Sequence, residues 1–327
     1  MSTTLYPLTF HPIFKDKIWG GEKIRTILGK DFSPLPNCGE SWEISGVPGN
    51  VSVVKSGQLE GQSLAELVAA HKGELVGGKV WATYGEEFPL LIKFIDAADD
   101  LSIQVHPDDT LARARHNSLG KTEMWYIFQA DPGSSLIAGF NRALDKDTFL
   151  EYFQSGRIMD VLNREAVQEG DVFFLPAGRV HTIGKGLLLA EIQQTSDVTY
   201  RIYDFDRRDD KGNLRELHVD QSLDAMDYRF YPEYKTAYEP LTNVAAPLVQ
   251  SAYFETNRLE LTEPLHRSHS TDSFTVYICV GGMGTLTAGG MDVPLALGAT
   301  VLVPAALTEV NLTPDGSLQL LESRAVA

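Results

Sequence analysis

Cysteine is nearly missing from this chain: Cys38 and Cys279, far apart, are the two it has among 327 residues. So small a number excludes a disulfide framework and a thiolate metal cluster, and it suits a reducing compartment. Long apolar runs are also absent. No uninterrupted stretch approaches the length of a membrane span, and Met1-Ser2-Thr3-Thr4-Leu5-Tyr6-Pro7 has no basic segment followed by an apolar one. No membrane partner is therefore expected, and the expected location is cytoplasmic. Positive charge is scarce, with 28 Lys and Arg against 44 Asp and Glu and a formal net charge of −16. A field of that sign repels polyanions, and no basic run offsets it, which argues against a nucleic-acid partner. A small anion can still bind where a few cations converge, so Lys93, Lys121 and Arg201 matter more than the total.

What is present reads as an ordinary globular chain, 43% hydrophobic and 22% charged, long enough for about two domains. Residues 6 to 54 hold short strand-like runs broken by glycine and proline: Leu8-Thr9-Phe10, Ile18-Trp19-Gly20-Gly21 and Gly39-Glu40-Ser41-Trp42-Glu43-Ile44-Ser45. Ser63-Leu64-Ala65-Glu66 is a capping-box pattern, with Leu64, Leu67 and Val68 at helical spacing behind it. Pro89 to Ala97 is an apolar strand with Lys93 inside it, either a barrel-mouth lysine whose ammonium reaches water or a functional cation. Asp147 to Leu162 reads as helical, broken at Gly156, and strands resume from Gly170 to about Tyr203. A turn over 207–213 and linker composition from Tyr231 to Pro247 place a domain boundary near residue 240.

The central stretch is Leu101-Ser102-Ile103-Gln104-Val105-His106-Pro107-Asp108-Asp109. Its alternation puts Ser102, Gln104 and His106 on one face of a strand and Leu101, Ile103 and Val105 on the other. Glu123 opens the strand-forming run Glu123-Met124-Trp125-Tyr126-Ile127, and His181 closes Gly170-x5-Pro176-x-Gly178-x2-His181. Gln104, His106, Glu123 and His181 can thus meet inside a barrel. Two imidazoles, a carboxylate and a neutral amide oxygen suit Zn²⁺, other divalent ions remaining open. The same element recurs as Gly298-x5-Pro304-x-Ala306-x2-Glu309, and Phe274-Thr275-Val276-Tyr277-Ile278 parallels the run at Glu123, with the ligands gone. The expected fold is therefore mainly β, two β-sandwich or jelly-roll barrels with short helical insertions, only the first built for a metal.

The Gly-x5-Pro-x-Gly-x2-His run resembles the second cupin signature, with Lys185 in place of its final Asn, while Gln104 replaces the first His of the other signature. Gln104-Val105-His106-Pro107, Lys121-Thr122-Glu123-Met124, Pro176 to His181 and Glu191-x5-Asp197-x3-Arg201 together resemble the type I mannose-6-phosphate isomerase family in its short bacterial form. Ile18-Trp19-Gly20-Gly21, Gly39-Glu40-Ser41-Trp42 and Thr199 to Asp204 extend the resemblance over nearly the whole chain. It implies a catalytic domain over 1–240 and a degenerate cupin domain over 241–327, one Zn²⁺ per chain on Gln104, His106, Glu123 and His181, and a small-molecule sugar phosphate as partner. A monomer or weak homodimer is expected. The implied reaction moves a proton between C2 and C1 of an aldose or ketose 6-phosphate through an enediol, with Glu191 the leading base and Asp197 and Lys93 the other candidates. Arg201 would stabilise enediolate charge or contact phosphate, and Ser102 and Lys121 would reach the phosphate end. On their residues alone, Arg201 reads as a salt bridge to Asp204 or Asp206 and Lys121 as a solvated turn lysine; the resemblance turns both toward function. The long form's His before Lys-x-Glu is replaced here by Leu119-Gly120, and its helical insertion is reduced to Asp147 to Leu162. A cupin oxygenase would prefer a facial His/His/carboxylate set on iron, and a sugar-binding protein would tolerate loss of these residues.

Overall fold

The computed structural model describes residues 4–208 and 212–327. Of the turn expected over 207–213, positions 209 to 211 lie outside the described residues, while Arg208 bridges Leu214 across it. Among the described residues no helix is long and apolar enough to cross a membrane.

The protein is mainly β, as the alternation and β-branched runs required. In chain order the strands are β1 (Ile13–Lys15), β2 (Glu40–Ile44), β3 (Leu90–Ala97), β4 (Ile103–Val105), β5 (Glu123–Ala130), β6 (Ser135–Phe140), β7 (Leu162–Ala166), β8 (Val172–Leu175), β9 (His181–Thr182), β10 (Leu187–Gln194) and β11 (Tyr200–Tyr203). They are followed by β12 (Ala245–Gln250), β13 (Phe254–Leu261), β14 (Leu265–Ser268), β15 (Thr275–Ala288), β16 (Met291–Ala296), β17 (Thr300–Val303) and β18 (Glu309–Ala325). One sheet runs β1-β2-β3-β10-β5-β8, a second β11-β4-β9-β6-β7, and a third β12-β13-β18-β15-β16 with β14 on β18 and β17 on β15. Among the described residues no strand pairing closes a sheet on itself, so closed barrels are not found. Jelly rolls are double-sheet structures, and it is packing between sheets rather than edge pairing that buries their cores.

The chain divides into two compact units. One holds Phe14–Ser41 and Lys93–Thr236; the other holds Trp42–Ile92 and Ala237–Ala327 with the N-terminal segment ending at Ile13. The break at Ala237 lies beside the boundary expected near 240. The segment ending at Ile13 and Trp42–Ile92, however, group with the C-terminal strands rather than with the remainder of 1–240, whereas Phe14–Ser41 groups with Lys93–Thr236. Leu8 explains this for the N-terminus: its N–H and C=O pair with Leu302 on β17 at 2.7 and 2.9 Å. Such a long-range pairing leaves no periodic trace in sequence.

In the unit containing residues 93–236, Trp125 and Ile127 of β5, Phe173 and Leu175 of β8 and Leu187 and Leu189 of β10 pack with Leu136 and Ala138 of β6 in one core. β10 is buried along its whole length, which is why Leu187-Leu188-Leu189-Ala190 reads as a continuous apolar run. The helix Lys146–Gln154 is capped by Asp145 and separated by Gly156, at φ +69°, from a 3₁₀ turn at Ile158–Asp160. Leu162 belongs to β7, not to that helical stretch.

In the other unit the capping box forms as expected. The Ser63 hydroxyl accepts from Glu66 N–H at 3.2 Å, and the Glu66 carboxylate accepts from Ser63 N–H at 2.8 Å, starting helix Leu64–His71. Two further short helices, Gly73–Val76 and Gly78–Tyr84, follow where glycines masked any periodic signal. The β12–β18 core gathers Leu259, Tyr277, Leu286, Val301, Val310 and Leu320.

Candidate metal centre

β4 is the hinge of the site because its two faces are of different character. Ile103 and Val105 enter the core with Ile137 and Phe140, which turns Gln104 to the opposite side, and His106 continues that alternation just past the strand end. Gln104 is directly opposite His181 of β9 in the ladder, and its amide nitrogen is 3.3 Å from His181 Nε2. Glu123, the first residue of β5, brings its carboxylate oxygens to 3.3 Å from His181 Nε2 and 3.6 Å from His106 Nε2. One ligand atom each from His106, Glu123 and His181 lies within 4.8 Å of the others, all three residues being buried. The ring of Trp125 meets His181 edge to face at 5.3 Å.

The protonation states follow from the second contacts. His106 Nδ1 is 3.0 Å from the Val198 carbonyl and His181 Nδ1 is 2.8 Å from the Arg179 carbonyl. A carbonyl can only accept, so each Nδ1 carries the proton and each Nε2 keeps its lone pair. Burial, with Lys121 adding to it, pushes the His106 ring well below the usual imidazole range and His181 down to about 3, so both rings are neutral. Glu123 is pushed up to about 7 by burial and by Glu191, against the pull of Lys121. Neither of its oxygens has an aligned hydrogen-bond partner. Two imidazole lone pairs and a carboxylate facing one another repel unless a cation stands among them. The ammonium of Lys121 supplies positive charge there, 2.7 Å from Glu123 Oε2 and 3.0 Å from His106 Nε2. The donor set therefore fits a divalent metal of the zinc type.

Beside these groups is a second buried cluster. Lys93, in a strand buried at every position, is 3.1 Å from Glu191 and 3.7 Å from Glu40. The barrel-mouth reading, with the ammonium in water, does not hold. Burial alone would lower the Lys93 pKa, but Glu191 and Glu40 outweigh it and the net shift is upward. Burial would raise Glu191, but Lys121 and Lys93 outweigh it, and the indole N–H of Trp125 donates to its Oε2 at 2.9 Å. Both stay charged. Glu40 was not singled out from sequence, although it stood in the Gly39-Glu40-Ser41-Trp42 run. An acidic residue leading into a strand with inward Trp42 and Ile44 was the signal available.

Other candidates stand apart. Asp197 is solvent-exposed. Ser102 is buried just ahead of β4. Arg201 of β11 is opposite Gln104 in the ladder, and its Nη1 donates to the Glu216 carbonyl at 2.7 Å. The salt bridge to Asp204 open to it from sequence belongs instead to Arg207 and Arg215. Burial and the neighbouring Arg215 lower the Arg201 pKa, and its Nε is buried without a partner. Lys121, read from sequence alone as a solvated turn residue, is buried among the ligands.

The family model for the type I phosphomannose isomerase catalytic domain matches residues 8–126, and that for the mannose-6-phosphate isomerase cupin domain matches residues 246–324. A mannose-6-phosphate isomerase of Streptococcus mutans is 36% identical over 318 residues, covering 97% of this chain and 98% of its own. The crystal structure of the Bacillus subtilis mannose 6-phosphate isomerase superposes with a TM-score of 0.87 at 33% identity, covering 97% of this chain and 99% of that one. A zinc-bound mannose 6-phosphate isomerase shares the fold, with a TM-score of 0.80 at 16% identity over 98% of this chain and 100% of its own.

Proposed function

This chain belongs to the type I mannose-6-phosphate isomerase family, and from that premise we propose that it interconverts mannose 6-phosphate and fructose 6-phosphate by enediol proton transfer, using one zinc ion per chain. The observation that carries the reading is the convergence of two neutral imidazole Nε2 atoms on the buried Glu123 carboxylate, with the Gln104 amide alongside. Zinc held by Gln104, His106, Glu123 and His181 supplies Lewis acidity toward the sugar's C1 and C2 oxygens.

The residues of the chain do the rest. Glu191 takes the proton from C2 of the aldose and returns it to C1 while the hydroxyl proton passes from O2 to O1 of the enediol, the reverse running for the ketose. Its support is that Lys93 and Lys121 keep it ionised while Trp125 fixes one oxygen, leaving a buried, oriented base. Lys93, hydrogen-bonded to Glu191, is the alternative proton carrier; Asp197, exposed, has weaker support. Arg201 has donor capacity for enediolate or phosphate oxygens, and Ser102 and Lys121 are assigned to the phosphate end by resemblance. The catalytic part corresponds to 1–240. The part from 241 onward is read as a degenerate copy, since Glu309, at the position of His181, is exposed and pairs with His266.

A coupled assay for fructose 6-phosphate from mannose 6-phosphate, run before chelation, after chelation and after zinc is restored, tests the reading. Activity that disappears with the chelator and returns with zinc is expected. A zinc-loaded protein without activity rejects it.

A further inference from the structure

The carbonyl that holds His181 Nδ1 belongs to Arg179, on the turn between β8 and β9. That turn is closed by Arg179 N–H to the Pro176 carbonyl at 3.1 Å, and it contains Gly178 at φ +88°, so its backbone has little intrinsic preference for one shape. Side chains hold it. The Arg179 guanidinium carbon lies 4.6 Å from the Tyr231 ring centroid and 5.1 Å from that of Tyr234, and Nη1 donates to the Phe174 carbonyl at 3.0 Å. Among the described residues no carboxylate is within ion-pair distance of Arg179. The cation's close contacts are two π faces and a carbonyl, with the charge of Asp227 acting on it from beyond ion-pair distance.

Those rings are themselves fixed. The Tyr234 hydroxyl accepts from Phe140 N–H at 3.1 Å and donates to the Phe140 carbonyl at 2.8 Å. The Tyr231 hydroxyl donates to Asp227 Oδ2 at 2.8 Å, and Asp227 N–H returns to the Gly178 carbonyl at 2.8 Å. Gly178 N–H in turn donates to the His106 carbonyl at 2.9 Å. One turn therefore touches both imidazole ligands, through a main-chain bond to one and a ring bond from the other.

We infer that Arg179 is a positioning residue of the metal centre: its side chain, laid on Tyr231 and Tyr234, locks the turn whose carbonyl fixes the tautomer and direction of His181. The inference rests on the zinc reading given above. Outer partners of metal-bound histidine change metal affinity when disturbed, even where no ligand is lost.

The test compares the wild type with Arg179→Ala, Arg179→Lys and Tyr231→Leu. Zinc affinity is read by competition with a chromophoric chelator, the ligand field by the visible spectrum of the Co²⁺-substituted protein, and folding by the unfolding midpoint of the metal-free forms. Arg179→Ala is expected to bind zinc about tenfold more weakly with an altered cobalt spectrum. Arg179→Lys, which keeps a cation but not a planar one, falls between it and the wild type. Tyr231→Leu moves the same way with Arg179 intact, and it decides the matter if Arg179→Ala does not fold. Folded variants whose zinc affinity stays within about twofold of the wild type, with unchanged cobalt spectra, overturn the inference while leaving the zinc reading intact. A wild type that holds no zinc overturns both.

Discussion

Lys93, Lys121, Glu40, Glu123 and Glu191 share the space beside the imidazole pair, two ammonium groups against three carboxyl groups. With a divalent ion bound and Glu123 ionised as its ligand, that set carries a net charge of +1, which favours an anionic sugar phosphate although the whole chain is strongly acidic. Within this balance Glu191, which is not counted among the metal ligands, is held ionised by Lys121 and Lys93. Glu191→Gln is expected to keep zinc at wild-type stoichiometry while kcat falls at least ~100-fold, whereas His106→Ala loses metal and turnover together. Metal content by elemental analysis, read beside kcat, checks both, and a zinc-bearing Glu191→Gln protein with wild-type turnover would move the base to Lys93. Gln104, His106, Glu123 and His181 were legible because alternation and motif spacing state which face a side chain takes. Burial is not written that way. Asp197 had family spacing yet is exposed, and Glu40 and Lys93 came together only because β2 and β3 are neighbours in one sheet.

At the scale of strands, the internal repeat was visible in sequence but offset by one residue. String similarity sets Phe274 against Glu123. The ladders pair Glu123 with Leu175 on β8 and Thr275 with Val303 on β17, so Thr275 is the true counterpart, and a one-residue slip is what decides a strand's inward face. Trp125 then corresponds to Tyr277, each lying opposite a glutamate, Glu191 on β10 and Glu322 on β18. The aromatic donor to a buried glutamate is kept in both copies: Tyr277 donates to Glu322 at 3.0 Å. In the second copy Arg267 closes the site, donating to both Glu322 oxygens at 2.8 and 2.6 Å. Burial would raise the Glu322 pKa, but Arg267 outweighs it and holds it below the ordinary 4.5. A carboxylate depressed in the folded state contributes stability that is full above its unfolded value and is lost as pH falls through the folded one. Glu322→Gln should therefore destabilise by ~2 kcal/mol at pH 7 and flatten the decline of stability below about pH 4.5 that the wild type shows. Urea titrations at pH 7 and pH 4 measure it, and equal losses at both pH values contradict the assignment. The β8–β9 turn has its own test. An alanine Cβ at Gly178 would stand 2.8 Å from the Ala225 carbonyl oxygen at a left-handed φ, so Gly178→Ala should lower stability by ~1–3 kcal/mol, seen as an earlier chemical-unfolding midpoint.

For the molecule as a whole, composition bounded what the chain could be, and the long-range pairings decided how it is divided. The compact units divide at Ala237, and linker composition runs from Tyr231 to Pro247. The grouping of Trp42–Ile92 with the C-terminal strands has no such mark in composition, because helices at Gly73–Val76 and Gly78–Tyr84 are tied there by main-chain bonds such as Gly78 N–H to the Thr271 carbonyl at 2.9 Å. Since Gln104, His106, Glu123 and His181 all belong to the unit of residues 93–236, a bound metal should stabilise that unit directly. A ligand present at a hundredfold its dissociation constant adds ~2.7 kcal/mol, which is roughly 5–10 °C in the unfolding midpoint of a unit of this size. Chelation should remove that increment, and hydrogen exchange followed by mass spectrometry should locate it: faster exchange in β4, β5, β9 and the turn at 176–179, with β12–β18 unchanged. The pattern follows from the ligands' own backbones, which are the segments a metal cross-links and chelation releases. Acceleration spread evenly over both units, or confined to β12–β18, would mean that the metal acts somewhere other than on these four residues.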